Sequence, residues 1–280
     1  LTDLQAAVCP ITLIGVPFDA TSTYRPGSRF APPAIRQAFE NIEIYAEDLD
    51  LDLEQVAIGD RGDLARTSNL SDMLDRLEAA TRGIMNEGSI PAALGGEHSI
   101  TYGSVKAMPQ DTALIVFDAH LDLRTEYDGL RLMHATWLRY LAGARPRSKV
   151  VHVGARAAVR EEWQFAREQG FSLLTTDDVF ASADPVADFS GLLAGLDEVY
   201  VSIDLDVLDP AFGPGVANPE VGGLSSRQLI GFLRALRGKR LRGFDVVELC
   251  PVLDAGQITA VAAAKFLAEL CHAALASPRG

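Results

Sequence analysis

Asp118, His120 and Asp122 recur at i, i+2 and i+4 where the apolar run TALIVFDAHLD ends. With the two-residue period of a strand, the three side chains point to one side while Ala119 and Leu121 point to the other. Two carboxylates flanking an imidazole make a cation site. SIDLDVLDP repeats the device with Asp204 and Asp206, and LGGEHSI places His98 behind Gly95 and Gly96, a pair that permits a tight turn. Four aspartates crowded into a low-dielectric site raise one another's pKa and stay ionised only with compensation, for which divalent metal is the natural agent. Four aspartates with two histidines and no thiolate suit a fairly hard ion such as Mn²⁺. Because carboxylates bridge, these six side chains suffice for two ions roughly 3.5–4 Å apart. Each motif alone also reads as turn chemistry, and Asp209 before Pro210 is a turn initiator. The weight lies in the coincidence of three such clusters at the ends of apolar runs.

The elements that must bring these clusters together are legible as alternation. Short β-rich runs recur as ITLIGVPF, QVAIG, IPAAL, TALIVFD, KVVHVG, FSLLT, EVYVSID and LRGFDVVEL. Between most of them lie helix-period segments: APPAIRQAFENI, LSDMLDRLEAATRGIMNEG, EEWQFAREQG, SSRQLIGFLRALRG and ITAVAAAKFLAELCHAAL. This pattern predicts a largely parallel sheet covered by helices on both faces. In such a sheet ligands gather at the carboxyl ends of the strands, where LGGEHSI, FDAHLDLR, SIDLDVLDP and VVELCP all stand. Asn69 or Ser71 is expected to cap one helix and Ser225 or Ser226 another. With no linker, low-complexity tract or repeat, residues 1–280 read as one domain.

Lysine and arginine number 25 against 38 aspartates and glutamates, a net charge of −13. That sign opposes nucleic acid and anionic lipid as partners, since both demand a basic footprint. Three cysteines with no CxxC pair indicate neither a disulfide framework nor a thiolate zinc cluster. LTDLQAAVCPITLIG carries no basic leader region, and the apolar stretch 258–275 is interrupted by Lys265, Glu269 and His272. A cytoplasmic protein with no membrane span is expected.

Taken together, GGEHSI, FDAHLDLR and SIDLDVLDPAFGPG resemble the three metal motifs of the ureohydrolase family, the arginases and agmatinases. The likeness extends through GVPFDATSTYRPGSRFAPPAIR and GFDVVELCPVLDAGQITA, and the first of these, with HATWLRY, is more similar to archaeal-type agmatinases than to arginases. The resemblance implies a single three-layer α/β/α domain around an eight-stranded parallel sheet, assembled as trimers or hexamers. It implies two Mn²⁺ ions, one held by His98, Asp118, Asp122 and Asp204, the other by His120, Asp118, Asp204 and Asp206. It also implies His134 as the proton donor and Glu248 as the partner of a substrate guanidinium. The chemistry is coherent: two divalent ions acidify water, an imidazole with an ordinary pKa near 6.5 suits proton delivery at neutral pH, and a carboxylate pairs with a planar cation. The sequence departs from relatives at Cys250, where an asparagine is common, at Met133, where many carry serine, and at Val221, where proline is common.

Substrate choice rests on the loop 122–134, DLRTEYDGLRLMH, which lacks the Asn and Ser with which arginases hold the amino-acid head. Glu126 and Asp128 are expected to face the distal ammonium of agmatine, whereas Arg124 and Arg131 leave a carboxylate-bearing substrate open; Pro219 and Glu220 also lean towards agmatine. The ranking is agmatine, then arginine, then guanidino acids. A zinc-dependent deacetylase and a non-catalytic arginase-like subunit are the competing classes. His152 and His272 read as structural, Trp137 and Trp163 as packing residues, and Arg25, Arg29 and Arg36 as salt-bridging.

Overall fold

The computed structural model describes residues 9–145 and 147–276. In chain order the strands are β1 (Ile11–Gly15), β2 (Tyr45–Ala46), β3 (Leu51–Asp52), β4 (Ile58–Asp63), β5 (Ile90–Leu94), β6 (Ala113–Phe117), β7 (Val150–Val153), β8 (Ser172–Leu174), β9 (Glu198–Asp204) and β10 (Arg240–Val247). The helices are α1 (Ala31–Phe39), α2 (Leu70–Asn86), α3 (Ile100–Lys106), α4 (Trp137–Ala144), α5 (Arg160–Glu168), α6 (Thr176–Ala181), α7 (Pro185–Leu192), α8 (Ser226–Ala235) and α9 (Ile258–Ala276).

Eight strands form one parallel sheet in the order β4-β1-β5-β10-β9-β6-β7-β8, and β2 and β3 make a separate antiparallel pair. Every β-rich run of the sequence therefore corresponds to a sheet strand, although β4 begins only where QVAIG was expected to end. The alternation of side chains across the sheet explains the layering. On β6, Ile115 and Phe117 join a core with β9 residues Val201 and Ile203 and with helices α1 and α6 to α9. Leu114 and Val116 of the same strand pack instead with α3, α4 and α5, while α2 covers β1 and β5. Both faces are covered by helices, so inner strands can be apolar throughout.

Local signals set the helix starts. Asn69 Oδ1 accepts from the Asp72 N–H at 3.2 Å, and Ser225 Oγ accepts from the Gln228 N–H at 3.2 Å in a reciprocal capping box; Ser71 and Ser226 lie inside their helices. α9 is long and apolar enough to cross a membrane by composition, but 72% of that window is buried inside the fold, where it packs on α1 and α8. Four helices, α3, α4, α6 and α7, were not anticipated; they run only 6 to 8 residues and show too few turns for a period to register.

Candidate metal centre and substrate cavity

The four central strands β5, β10, β9 and β6 are neighbours, and each releases one of the acidic or imidazole motifs at its carboxyl end. β5 turns through Gly95 and Gly96, both with positive φ, and delivers His98. A Cβ on Gly96 would lie 2.5 Å from Val16 O and 2.8 Å from Phe18 O, so only glycine permits this close crossing of the β5 and β1 exits.

Asp118, His120 and Asp122 converge by a different route from the one expected. β6 ends at Phe117, so the strand period does not extend through them. The His120 N–H donates to Asp118 Oδ1 at 2.6 Å, His120 forms an isolated bridge with Ala157, and Asp122 adopts a left-handed backbone with φ 52°. A turn, not a continued strand, aims the three side chains. Ala119 and Leu121 are buried beneath it.

The six side chains nevertheless meet. His98 Nδ1 lies 2.9 Å from Asp118 Oδ2, 3.1 Å from Asp204 Oδ2 and 3.3 Å from Asp122 Oδ2. His120 Nδ1 lies 3.0 Å from Asp206 Oδ2 and 3.6 Å from Asp118 Oδ1. Two groups result, His98–Asp118–Asp204 and Asp118–His120–Asp206, each with its ligand atoms within 4.8 Å of one another, and Asp118 belongs to both.

The donor set fits divalent metal. Ser202 Oγ donates to Asp245 Oδ1 at 2.6 Å, which leaves its oxygen to accept from His98 Nε2 at 3.0 Å. With the proton on Nε2, the Nδ1 lone pair faces three carboxylate oxygens, an arrangement that requires a cation among them. Without metal the proton plays that part. Burial opposes charge on His98, but Asp118, Asp122 and Asp204 overcome it and raise its pKa well above the imidazole range. His120 is likewise raised against burial, by Asp206 and Asp118. Burial and Asp122 push Asp118 up, yet its bonds to His120 and His98 prevail and bring it down to about 2. Burial, then Asp206 and Asp118, lift Asp204 well above the carboxylate range.

A cavity of about 630 Å³ opens onto this cluster. His120, Asp122, Asp204 and Asp206 form part of its wall, and Glu248 and His134 share the same lining. Glu248 follows β10 on a left-handed backbone with φ 64°. Its Oε1 accepts from the His98 N–H at 2.9 Å, while Oε2 is buried and has no hydrogen-bond partner among the described residues. Burial and the charge of Glu97 raise Glu248 well above its ordinary range. His134 Nε2 stands 3.1 Å from Thr23 Oγ1.

Other expectations need correcting. Glu126, Asp128 and Arg131 are exposed and lie outside the cavity wall; Arg124, Tyr127 and Glu220 line it instead. The Arg124 guanidinium lies over the Tyr127 ring at 4.6 Å and 3.8 Å from Glu162. Trp137 does more than pack, because its Nε1–H donates to Asp122 Oδ2 at 2.8 Å. Cys250 is buried with Sγ near the carbonyls of Arg25 and Pro26, so it packs beneath the N-terminal loop. Arg29 and Arg36 pair with Asp19 and with Asp60 and Asp63, and Arg25 donates to two carbonyls. His152 is buried within β7, as a structural role requires.

Several contributors escaped notice. The chain His98–Ser202–Asp245 extends to Tyr200, whose hydroxyl donates to Asp245 Oδ2 at 2.7 Å. Its one sequence signal is a polar residue at every second position of the otherwise apolar β9. Arg156 donates to the carbonyls of Asp206, Leu208 and Glu220 and so fixes the segment after β9 to the cavity wall.

The arginase-family sequence profile matches residues 9–272. An agmatinase of Bacillus anthracis is 37% identical over 266 residues, covering 93% of this chain and 90% of its own. An agmatinase of Pyrococcus horikoshii is 38% identical over 259 residues, covering 91% and 88%. The crystal structure of the agmatine ureohydrolase of Thermoplasma volcanium superposes with a TM-score of 0.89 at 33% identity, covering 96% of this chain and 91% of its own. With its eight-stranded sheet, its acidic and imidazole cluster and these matches along nearly the whole chain, the protein belongs to the arginase family and is an enzyme of the ureohydrolase type.

Proposed function

We propose that the protein is a binuclear manganese ureohydrolase that hydrolyses agmatine to putrescine and urea. The observation that carries this reading is the pairing of a metal-suited acidic cluster with a buried Glu248 Oε2, without a hydrogen-bond partner among the described residues, in one cavity wall. Six side chains, His98, Asp118, His120, Asp122, Asp204 and Asp206, would hold the two ions. Bound there, such a pair supplies Lewis acidity and acidifies water near neutral pH.

The chain's own residues account for the rest. Glu248 offers Oε2 to a guanidinium N–H while Oε1 stays on the His98 amide, which orients the carboxylate; a bound cation also restores its ionised form against the burial that raises its pKa. Attack of water on the guanidinium carbon gives a tetrahedral intermediate, and the C–N bond to the alkylamine breaks once that nitrogen is protonated. His134, 8% exposed in the cavity wall, delivers the proton. Glu220, 44% exposed and 3.8 Å from His120 Nε2, supplies a carboxylate in that wall for the distal ammonium. Arg124 favours a second reading, a guanidino acid, but its contacts with Tyr127 and Glu162 already engage its charge. The free cysteines fit a reducing, cytoplasmic setting, and a trimer or hexamer is the expected assembly.

Urea release from agmatine, arginine and 4-guanidinobutyrate, with Mn²⁺ supplied, tests the assignment. The expected kcat/KM for agmatine exceeds the others at least tenfold, about 1.4 kcal/mol in transition-state binding. Preference for arginine or the acid overturns the substrate. One tightly held Zn²⁺ per chain with no urea from any compound overturns the reaction class.

A further inference from the structure

Two hydroxyls of the segment Thr21–Tyr24 grip one distant residue. The His134 backbone N–H donates to Thr21 Oγ1 at 3.1 Å, and the His134 ring nitrogen Nε2 faces Thr23 Oγ1 at 3.1 Å. One contact places the residue and the other turns its ring.

The grip is anchored. Glu97, fully buried, accepts from the Thr21 N–H through Oε2 at 2.7 Å and from the Thr21 hydroxyl through Oε1, which Ser99 also approaches. The Glu97 N–H in turn donates to Phe18 O at 2.8 Å, tying the exits of β1 and β5 together. Asp19 closes the segment from its other end, accepting from the Gly27 N–H at 2.8 Å and pairing with Arg29. Thr23 is exposed, yet it projects from a loop fixed on both sides, and it lines the same cavity as His134 and Glu248.

We infer that Thr23 is a positioning residue for His134, held in place by the buried Glu97–Thr21 strut that rises from the loop bearing His98. A hydroxyl both donates and accepts, so Thr23 Oγ1 can hold Nε2 whichever tautomer or charge state the ring adopts. The ring keeps its orientation while its proton comes and goes. The strut also gives a role to the glutamate directly before a candidate metal ligand: its carboxylate is engaged by Thr21 and Ser99, and through Thr21 it fixes the proposed proton donor relative to His98. The inference rests on His134 being the proton donor.

The test compares Thr23→Val, Thr23→Ser, His134→Ala and the double variant Thr23→Val/His134→Ala as manganese-loaded full chains, with kcat and KM for agmatine and bound manganese measured for each. Thr23→Val should lower kcat about tenfold or more, the loss expected from one misdirected hydrogen bond, with KM within about twofold and manganese content unchanged. Thr23→Ser, which keeps the hydroxyl, should recover kcat to within about threefold of the parent. Thr23→Val should cost less than about twofold when His134 is already absent, because coupled residues are not additive. A raised KM with unchanged kcat would make Thr23 a substrate contact and overturn the inference, as would a serine variant as slow as valine or independent, multiplying effects. Full turnover by His134→Ala would instead overturn the proton-donor reading itself.

Discussion

Asp122 and Glu248 both sit on left-handed backbone, a conformation that costs a non-glycine residue of order 1–3 kcal/mol and persists where surrounding structure over-determines it. For Glu248 the determinant is visible: Oε1 is fixed on the His98 amide and the rest of the carboxylate is left buried beside Glu97. Such a group is costly until a cation arrives, which makes its removal informative in two opposite ways. Glu248→Gln keeps an acceptor for the His98 N–H but presents an amide donor where the guanidinium donates. Its kcat/KM for agmatine should fall at least about a hundredfold, roughly 2.7 kcal/mol. Stability of the chelated protein should move the other way. The raised pKa means the folded state binds the proton more tightly than the unfolded chain does. Stability is therefore lost as pH rises from the ordinary carboxylate range through the raised folded value. Glutamine removes that loss, so the variant's melting temperature should exceed the parent's more at pH 8 than at pH 5. A variant that melts lower at pH 8, or that keeps agmatine turnover, would contradict the role of this carboxylate.

The elements differ in how openly the sequence announces them. The inner strands β5 and β6 read as unbroken apolar runs because both faces are covered, and the Gly95–Gly96 pair marks a sharp exit from the sheet. The same runs concealed where β6 stops: nothing in TALIVFDAHLD distinguishes a strand reaching Asp122 from one that ends at Phe117 and turns. The candidate ligands were thus found through their residue types, while the three after β6 are gathered by a turn built from the His120–Asp118 bond, the His120–Ala157 bridge and the left-handed Asp122. Ser202 and Asp245 were hidden for another reason, since their contact crosses from β9 to β10 and no spacing along the chain encodes it. Thr21, Thr23 and Glu97 likewise meet His134 only through tertiary folding. At this scale the turn after β5 is the sensitive point. Gly96→Ala sets a methyl group against two carbonyl oxygens at φ 112°, so His98 must move. Gly170→Ala introduces the same left-handed penalty at φ 70° with nothing within 4 Å. The second substitution should cost only about 1–2 kcal/mol of stability and leave manganese affinity and turnover unchanged. The first should weaken manganese binding at least about tenfold, measured by titration on folded protein. Equal manganese affinity in the two variants would show that the β5 turn does not position His98.

Across the whole molecule, the charge of −13 stays negative even with two divalent ions on the acidic cluster, and its sign opposes that of the proposed substrate. Agmatine, the proposed substrate, carries a guanidinium at one end and an ammonium at the other, so on this proposal it is drawn by the field of the body as well as by Glu248 and Glu220. Long-range attraction of this kind acts on encounter and is screened as the Debye length contracts from about 10 Å at 0.1 M salt to about 3 Å at 1 M. Contacts inside the cavity, already desolvated, are screened far less. Raising salt from about 0.02 M to 0.5 M should therefore lower kcat/KM for agmatine several-fold through KM, with kcat nearly constant. 4-Guanidinobutyrate has no net charge, and its kcat/KM should hardly respond. The difference between the two slopes isolates the field of the molecule from any effect of salt on the metal centre, which both substrates share. Parallel slopes would mean that the excess acid serves solubility alone and that selection of the dication begins only within the cavity wall.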